Sequence, residues 1–506
     1  MTMNLNGQRL QISDFLKDLL VTAVSQVGVV LFGVLLLKIM ATSLSKEYFG
    51  LFILVRRWVG VLLPVMTLNL SFGMTRYIGF QKENARKYLD AMLGLTLLTS
   101  LVLFAALALF QRRFAQWLYN EQKYSGFVLL LVLFLLANWI HLFAYAYFRG
   151  KMDMMTTNLL RVLFYGFPVL LAFLLMQFYP GDGMSALTYY FVAYSCWGLF
   201  IGFFFLRKEI SFPILGRGLF QKIKESGKIV FFSLVRLPAV CFDALAFSIP
   251  VFFATHKISL VAAGYMGIVV AVIRLFELFS MPFNMIFVPK FSDLNRQEDM
   301  GNIKNYSLVV LDFIITFLPL AVLMVVGLTR FLIQVWFGAQ YEGVSGSVAA
   351  AIMFAVFYLA FALIRGILDG LFVFPFVSVI GFAGILTTTV GSLLFGSSVM
   401  ALSIWFGLGL LVLGVGSAAV LIKKLSLSPG FGKIGVAMSL CLATYGMLYY
   451  LDGWTVAWLG DGWAGLGLKL SFRGLMALAL YWFYWRKTMW LGQVMARVTV
   501  RPREAG

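Results

Sequence analysis

The amino-acid sequence predicts an all-α polytopic membrane protein of about fourteen transmembrane helices. Of its 506 residues, 61% are hydrophobic and 12% are charged, and the mean hydropathy is +0.92. Soluble globular domains are only about 45–50% apolar. The apolar residues form separate runs of roughly 20 residues, the length at which a helix crosses a bilayer, and short polar or turn-forming segments divide these runs.

The predicted spans begin after a polar N-terminal segment that ends at Lys17. The apolar run that follows is too long for a signal peptide and lacks its cleavage pattern, so we expect a retained first span. A basic segment, Arg207–Lys228, separates the sixth span from the seventh, and a basic tail follows the last. The fourteen predicted spans are Leu19–Met40, Leu51–Phe72, Ala91–Phe110, Phe127–Phe148, Thr157–Tyr179, Ala186–Leu206, Ile229–Ala254, Leu260–Val288, Tyr306–Leu328, Ser347–Leu368, Phe374–Phe395, Ala401–Ile422, Val436–Leu451 and Leu466–Phe483.

Two adjacent arginines, Arg56 and Arg57, lie inside the second apolar run. An arginine at the centre of a membrane helix costs on the order of 2.5–3.5 kcal/mol on insertion scales. Neighbouring residues point about 100° apart around a helix, so one partner does not readily neutralise both. Two interpretations stay open: the side chains reach a local partner and the near membrane surface, or at least one of them lines a cavity in the protein.

Further charges fall inside later spans. Arg236 and Asp243 are seven residues apart and share one face of the seventh span. Arg274 and Glu277 are three residues apart, which permits a self-neutralising pair as well as a role in a cavity. Asp312 in the ninth span has no oppositely charged neighbour three or four residues away, so we expect it to pair across helices.

Cations outnumber anions among these deep charges. If they converge, they form a positive site that suits an anionic head group, because arginine binds phosphate through a planar fork of donors. Arg161 and Lys38 lie near predicted span ends and are interpreted as interfacial. The candidate substrate-binding residues are therefore Arg56, Arg57, Arg236 and Arg274, and the candidates for coupling a proton or Na⁺ are Asp243, Glu277 and Asp312.

A weak internal repeat relates the two halves of the chain. The segment SKEYFGLFILV before the second span resembles SLVAAGYMGIV before the eighth, which aligns Gly50 with Gly264. Parallel halves of this size are typical of transporters. We expect an N-terminal six-helix bundle in residues 1–212, a second in residues 213–425, and two extra spans with a basic tail in residues 426–506.

Lys and Arg collect in alternate loops, which predicts that both chain termini are cytosolic. This asymmetry accounts for most of the formal charge of +19, and no basic domain is present that would bind nucleic acid. The basic segment between the sixth and seventh spans is expected to set topology and to contact anionic membrane lipids.

The sequence lacks the motifs of an enzyme. It contains no Walker A, GxSxG or HExxH pattern, and no loop is long enough to fold as a catalytic domain. The three cysteines lie in apolar runs without metal-ligand spacing, and there are only two histidines. We therefore expect no catalytic residue, no metal site and no cofactor.

The region around the second span carries a family resemblance. The stretch KIMATSLSKEYFGLFILVRRWVGVLLPVMTLNLSFGMTRYI resembles Wzx-type polysaccharide flippases, which belong to the multidrug/oligosaccharidyl-lipid/polysaccharide exporter superfamily. The residues on which this resemblance rests are Tyr48-Phe49-Gly50 and the later Gly73, Met74 and Tyr77. The segment VWFGAQYEG, Val335–Gly343, is similar to the family's segment before the tenth span.

The resemblance implies two six-helix bundles around a cationic cavity with alternating access. The implied cargo is a polyprenyl-diphosphate-linked glycan moved from the cytosolic to the external leaflet of a bacterial inner membrane, for O-antigen, lipopolysaccharide or exopolysaccharide synthesis. A polymerase and chain-length machinery are the expected protein partners. Arg56, Arg57, Arg236 and Arg274 match the family's cationic spans, while the first span has only Gln26 and Lys38. The alternatives are an ion-coupled multidrug exporter of the same superfamily and a membrane-embedded polysaccharide polymerase or ligase.

Overall fold

The computed structural model describes residues 2–5, 8–210, 218–372 and 374–427. Within these ranges the chain is helical apart from an antiparallel hairpin of β1 (Thr2–Leu5) and β2 (Gln8–Gln11). Three short 3₁₀ helices are Lys82–Asn84, Gln122–Tyr124 and Ala339–Val344. The α-helices are α1 (Ile12–Ser43), α2 (Lys46–Thr67), α3 (Leu70–Phe80), α4 (Ala85–Leu109), α5 (Gln111–Tyr119), α6 (Ser125–Gly150), α7 (Met154–Phe178), α8 (Gly183–Leu206), α9 (Leu219–Glu225), α10 (Gly227–Lys257), α11 (Leu260–Arg296), α12 (Met300–Thr316), α13 (Leu318–Val326), α14 (Thr329–Phe337), α15 (Ser345–Met353), α16 (Ala355–Leu371), α17 (Phe376–Phe395) and α18 (Val399–Leu425).

Ten helices in the described part of the chain are long and apolar enough to cross a membrane. An eleventh span arises if the segments on either side of Phe354, bent by 43°, count as one. These segments correspond to the first eight predicted spans and to the tenth, eleventh and twelfth. The prediction of an all-α polytopic membrane protein is therefore confirmed, while the thirteenth and fourteenth predicted spans lie outside the described residues.

Besides the tenth, two predicted spans are interrupted. The second run was expected to continue to Phe72, but α2 ends at Thr67 because Leu68 and Asn69 adopt left-handed conformations, with φ of 50° and 54°. The ninth span is two helices, α12 and α13, that meet at Phe317. Pro319 follows this junction and has no N–H to donate to the helix before it.

The described residues form two compact units. The first contains residues up to Gly267 together with Trp336–Gly338, and the second contains Ile268–Val335 and the residues from Ala339 onward. The predicted boundary between residues 212 and 213 falls in a stretch outside the described residues, as does most of 426–506, so the three-part division stays a prediction.

The first unit brings together the two glycines that the sequence repeat aligns. A Cβ built on Gly50 would lie 2.0 Å from the Leu260 carbonyl oxygen, and one built on Gly264 would lie 3.4 Å from the Gly50 Cα. Three residues further along each helix, a Cβ on Gly267 would lie 2.5 Å from the Ile53 side chain. Aligned positions of α2 and α11 thus face each other in the first unit.

The second unit also uses glycine for close helix packing. A Cβ on Gly407 would lie 2.2 Å from the Phe354 ring, and one on Gly414 would lie 2.4 Å from the Phe357 carbonyl oxygen. On the other side of α18, a Cβ on Gly409 would lie 2.0 Å from the Thr388 hydroxyl of α17. Small residues at these positions let the three helices approach closely.

A cluster of charges fixes the loop after α8. The Glu209 carboxylate accepts hydrogen bonds from Tyr147 (2.5 Å) and Arg86 (3.2 Å) and pairs with Lys151 at 3.4 Å. Burial alone would raise the pKa of Glu209, but these donors and charges outweigh it, so its pKa lies below the ordinary value of 4.5. Nearby, Lys222 of the basic segment pairs with Asp90 at 2.8 Å. Part of the predicted lipid-contacting segment is therefore held by internal ion pairs.

We expect Gly50→Ala to destabilise the protein, because the new methyl group would collide with backbone that no rotamer change can move. Gly60→Ala is the matched control on the same helix, since nothing lies within 4 Å of a Cβ at Gly60. Thermal unfolding of the purified protein, followed by fluorescence-detected size exclusion, should show a lower midpoint for Gly50→Ala only. Equal midpoints for the two variants would contradict the close contact.

We expect Glu209→Gln to lower the free energy of unfolding at pH 7 by roughly 1.5–3 kcal/mol, the usual range for a hydrogen bond to a charged group. Since its folded-state pKa is lowered, the ionised Glu209 stabilises in full above pH 4.5 and stops doing so as the pH falls through the lower folded value. Acidification should thus narrow the gap in melting temperature between the wild type and Glu209→Gln. The exposed Glu83→Gln is the control, and a gap that widens on acidification would refute the assignment.

Candidate functional site

Arg56 lies in the interior of a membrane-crossing helix. Ser45 caps α2 by accepting a hydrogen bond from the Tyr48 N–H (3.3 Å), and Arg56 follows ten residues after the helix begins, roughly 15 Å along its axis. The guanidinium lies 5.4 Å from the centre of the Phe52 ring, one turn back on the same helix. Arg56 and the adjacent Arg57 are both half-buried. Part of each side chain is therefore covered by other residues of the protein.

Three tyrosines lie within electrostatic range of the Arg56 charge. Tyr165 of α7 and Tyr190 and Tyr194 of α8 lie close enough to interact with it electrostatically. The Tyr190 side chain is 1% exposed, and its hydroxyl has no hydrogen-bond partner among the described residues. A tyrosine hydroxyl can donate to an anion bound by the arginine. Sequence analysis missed these tyrosines because their helices are joined to α2 only by the fold.

Arg236 lies in a different environment. It is an exposed residue of α10, and its guanidinium lies 4.3 Å from the Phe232 ring and 5.6 Å from the Phe72 ring of α3. Arg76, which sequence analysis did not single out, lies 4.4 Å from the same Phe232 ring. The only signal for Arg76 in the sequence was its position four residues after Phe72.

The acidic candidates and Arg274 are divided between the units. Asp243 is half-buried in α10, which continues unbroken from Arg236. In the second unit, Arg274 and Glu277 lie one turn apart on α11 and are half-buried, while Asp312 of α12 is 8% exposed. The structure therefore places the seven candidates within membrane-crossing or neighbouring helices, but it does not test their roles.

Arg161 also belongs to the first unit, and the sequence predicts that it is interfacial. Arg161 of α7 donates a hydrogen bond to the Gln26 side-chain oxygen of α1 (2.5 Å), and its guanidinium lies 5.5 Å from the Tyr145 ring of α6. Among the described residues, no carboxylate lies within ion-pair distance of Arg56 or Arg161. The Arg56 and Arg161 guanidinium groups are thus solvated by nearby aromatic and amide groups.

Metal-binding groups do not accompany these charges. Within the described ranges, no three His, Cys, Asp or Glu side chains are grouped so that they could hold a metal ion. The described cysteines Cys196 and Cys241 are both free thiols.

Comparison with solved structures relates the fold to known transporters. A structure of the lipid II flippase MurJ in an inward closed conformation matches with a TM-score of 0.73 at 12% identity, covering 93% of this chain and 100% of that chain. An inward-facing multidrug resistance transporter of the MATE family, in the MOP superfamily, matches with a TM-score of 0.61 at 13% identity, covering 80% of this chain and 98% of that chain. The eukaryotic MATE transporter AtDTX14 matches with a TM-score of 0.53 at 12% identity, covering 84% of this chain and 99% of that chain. At these identities the likeness concerns the fold.

Sequence comparison supplies the family. A search of curated protein sequences found no significant match. A family model described as "Polysaccharide biosynthesis protein" matches residues 39–346, which is more than half of the chain and includes the arginines of α2, α7, α10 and α11. The chain therefore belongs to the polysaccharide biosynthesis protein family, with a fold like those of MurJ and the MATE transporters.

Proposed function

We propose that this protein is a flippase that moves a polyprenyl-diphosphate-linked oligosaccharide from the cytosolic to the external leaflet for surface polysaccharide synthesis. The observation that carries the proposal is the Arg56 guanidinium, which lies inside a membrane-crossing helix without a carboxylate partner among the described residues. Family membership and the fold shared with a lipid II flippase support it.

The chemistry of Arg56 suits a diphosphate. A guanidinium in a low-dielectric site keeps its charge and offers a planar pair of donors to phosphate oxygens. The Phe52 ring beside Arg56 solvates the cation but does not cancel its charge, so its attraction for an anion persists. A multidrug cation exporter would instead need acidic groups at this position.

The mechanism that we propose is alternating access. Arg56 and Arg57 bind the diphosphate, with Arg236 and Arg274 as further cationic contacts, while the prenyl tail stays in lipid. Asp243, Glu277 and Asp312 are the proposed groups that take up and release a proton or Na⁺. Both termini face the cytosol of a bacterial inner membrane, and the flipped glycan passes to a polymerase and chain-length machinery. No chemical step on the substrate is proposed.

The proposal is tested by deleting the gene and analysing polyprenyl-linked glycans by mass spectrometry. A diphosphate-linked repeat unit should accumulate while surface polysaccharide is lost, and the wild-type gene should reverse both effects. Increased sensitivity to cationic drugs without accumulation would favour the exporter instead.

We expect Arg56→Ala and Arg274→Ala to complement the deletion poorly, with transport lowered roughly 10- to 100-fold by the loss of one charge-assisted contact each. Arg112→Ala, a change of the same type at an exposed residue of α5, is the control. Membrane expression of each variant is measured by immunoblot. Full complementation by both Arg56→Ala and Arg274→Ala at normal expression would refute the cationic site.

A further inference from the structure

The sequence predicts Arg161 near the end of its span, but in the structure it lies seven residues inside α7 and contacts α1 and α6. Its neighbours along α7 contact α1 on successive turns: Asn158 donates to the Thr22 hydroxyl at 3.1 Å, and a Cβ on Gly166 would lie 3.0 Å from the Phe32 ring. Between these two contacts, the Arg161 guanidinium donates to Gln26. This arrangement holds the guanidinium against α1, whereas a snorkelling arginine would extend toward the end of α7.

The Arg161 charge and the Arg56 charge act on the same tyrosine. Tyr165 is one turn after Arg161 on α7, and both guanidinium groups interact electrostatically with it. Tyr165 is 36% exposed, and its ring lies 5.7 Å from the His141 ring. Both cations also border one cluster of aromatic rings, which runs from Tyr145 beside Arg161 to Phe52 beside Arg56.

Buried polar groups beside the two arginines still have hydrogen bonds to make. His141 of α6 is 6% exposed, interacts electrostatically with Arg161, and has no partner for Nδ1 among the described residues. Its ring is stacked on Phe164 at 3.7 Å, which fixes its orientation. Tyr190 beside Arg56 likewise has a buried hydroxyl without a partner. Buried polar atoms are nearly always hydrogen-bonded, so such groups beside unneutralised cations point to an anionic ligand.

We propose that Arg161 is a second binding residue for the diphosphate of the lipid-linked substrate, with Gln26 as its positioning residue. Arg56 binds one phosphate and Arg161 the other, on either side of Tyr165. Arg161 thereby supplies from α7 the cation that the first span lacks. This inference rests on the proposed function, because it assumes a diphosphate-carrying substrate.

The test measures discrimination between two lipids. Full-length protein in nanodiscs is titrated with undecaprenyl diphosphate and with undecaprenyl monophosphate, and inorganic pyrophosphate is added as a competitor. The variants are Arg161→Ala, Arg161→Lys and Gln26→Ala. Arg149→Ala is the matched control, because Arg149 lies 5.9 Å from the same Tyr145 ring but is exposed in the last turn of α6.

The wild type and Arg149→Ala should bind the diphosphate more tightly than the monophosphate. Arg161→Ala should lose roughly 10- to 100-fold in affinity for the diphosphate and much less for the monophosphate, so that the preference disappears. Arg161→Lys keeps the charge but not the planar fork, so it should retain only part of the preference. Gln26→Ala should act in the same direction with a smaller effect. Competition by pyrophosphate in the wild type would identify the head group as the part bound.

The failures are distinguishable. If the wild type prefers the diphosphate and the three variants keep that preference, Arg161 is not a binding residue, while the proposed function stands. If the wild type binds neither lipid, the proposed function fails and this inference with it. If Arg161→Ala does not fold, Arg161→Lys and Gln26→Ala decide, and an unchanged preference in both overturns the inference.

Discussion

A positive charge inside a membrane-crossing helix has to be solvated by the protein around it, and the interior of the first unit meets this requirement without neutralising the charge. Phe52 offers Arg56 the face of its ring, and Tyr145 does the same for Arg161. Gln26 accepts a hydrogen bond as a neutral group. Carboxylates would have stabilised the arginines more strongly, but they would also have cancelled the field that attracts an anion.

This solvation relies on contacts between helices that are far apart in the sequence. Gln26 and Arg161 are separated by 135 residues, and α1 and α7 meet only in the folded unit. From the sequence alone, Arg56 and Arg161 looked alike, since each lies a similar short distance inside an apolar run. Arg56 is distinguished in the sequence by the adjacent Arg57, since one partner does not readily neutralise both charges, whereas Arg161 is the only charged residue of its apolar run.

The sequence predicted most helical spans because the bilayer requires about 20 consecutive apolar residues per helix, and this property is local in the sequence. It also found the aligned glycines Gly50 and Gly264, although their mutual contact became visible only in the structure. The turn between α2 and α3 could not be predicted, since Leu68 and Asn69 adopt left-handed conformations that leucine rarely takes without support from its surroundings. Nor could the sequence show that Arg76 and Arg236 share the Phe232 ring, because this contact joins α3 and α10, which are far apart in the sequence.

The contact of α2 with the start of α11 brings backbone against backbone at Gly50 and Gly264. Glycine has no side chain, so no rotamer has to be fixed where the two backbones meet. Phe49 and Ile53 beside them are buried, so apolar packing around the glycines supplies the stabilisation while the backbone contact sets the distance between the helices. The glycines therefore act as a spacer that determines how closely the buried neighbours of α2 and α11 interdigitate.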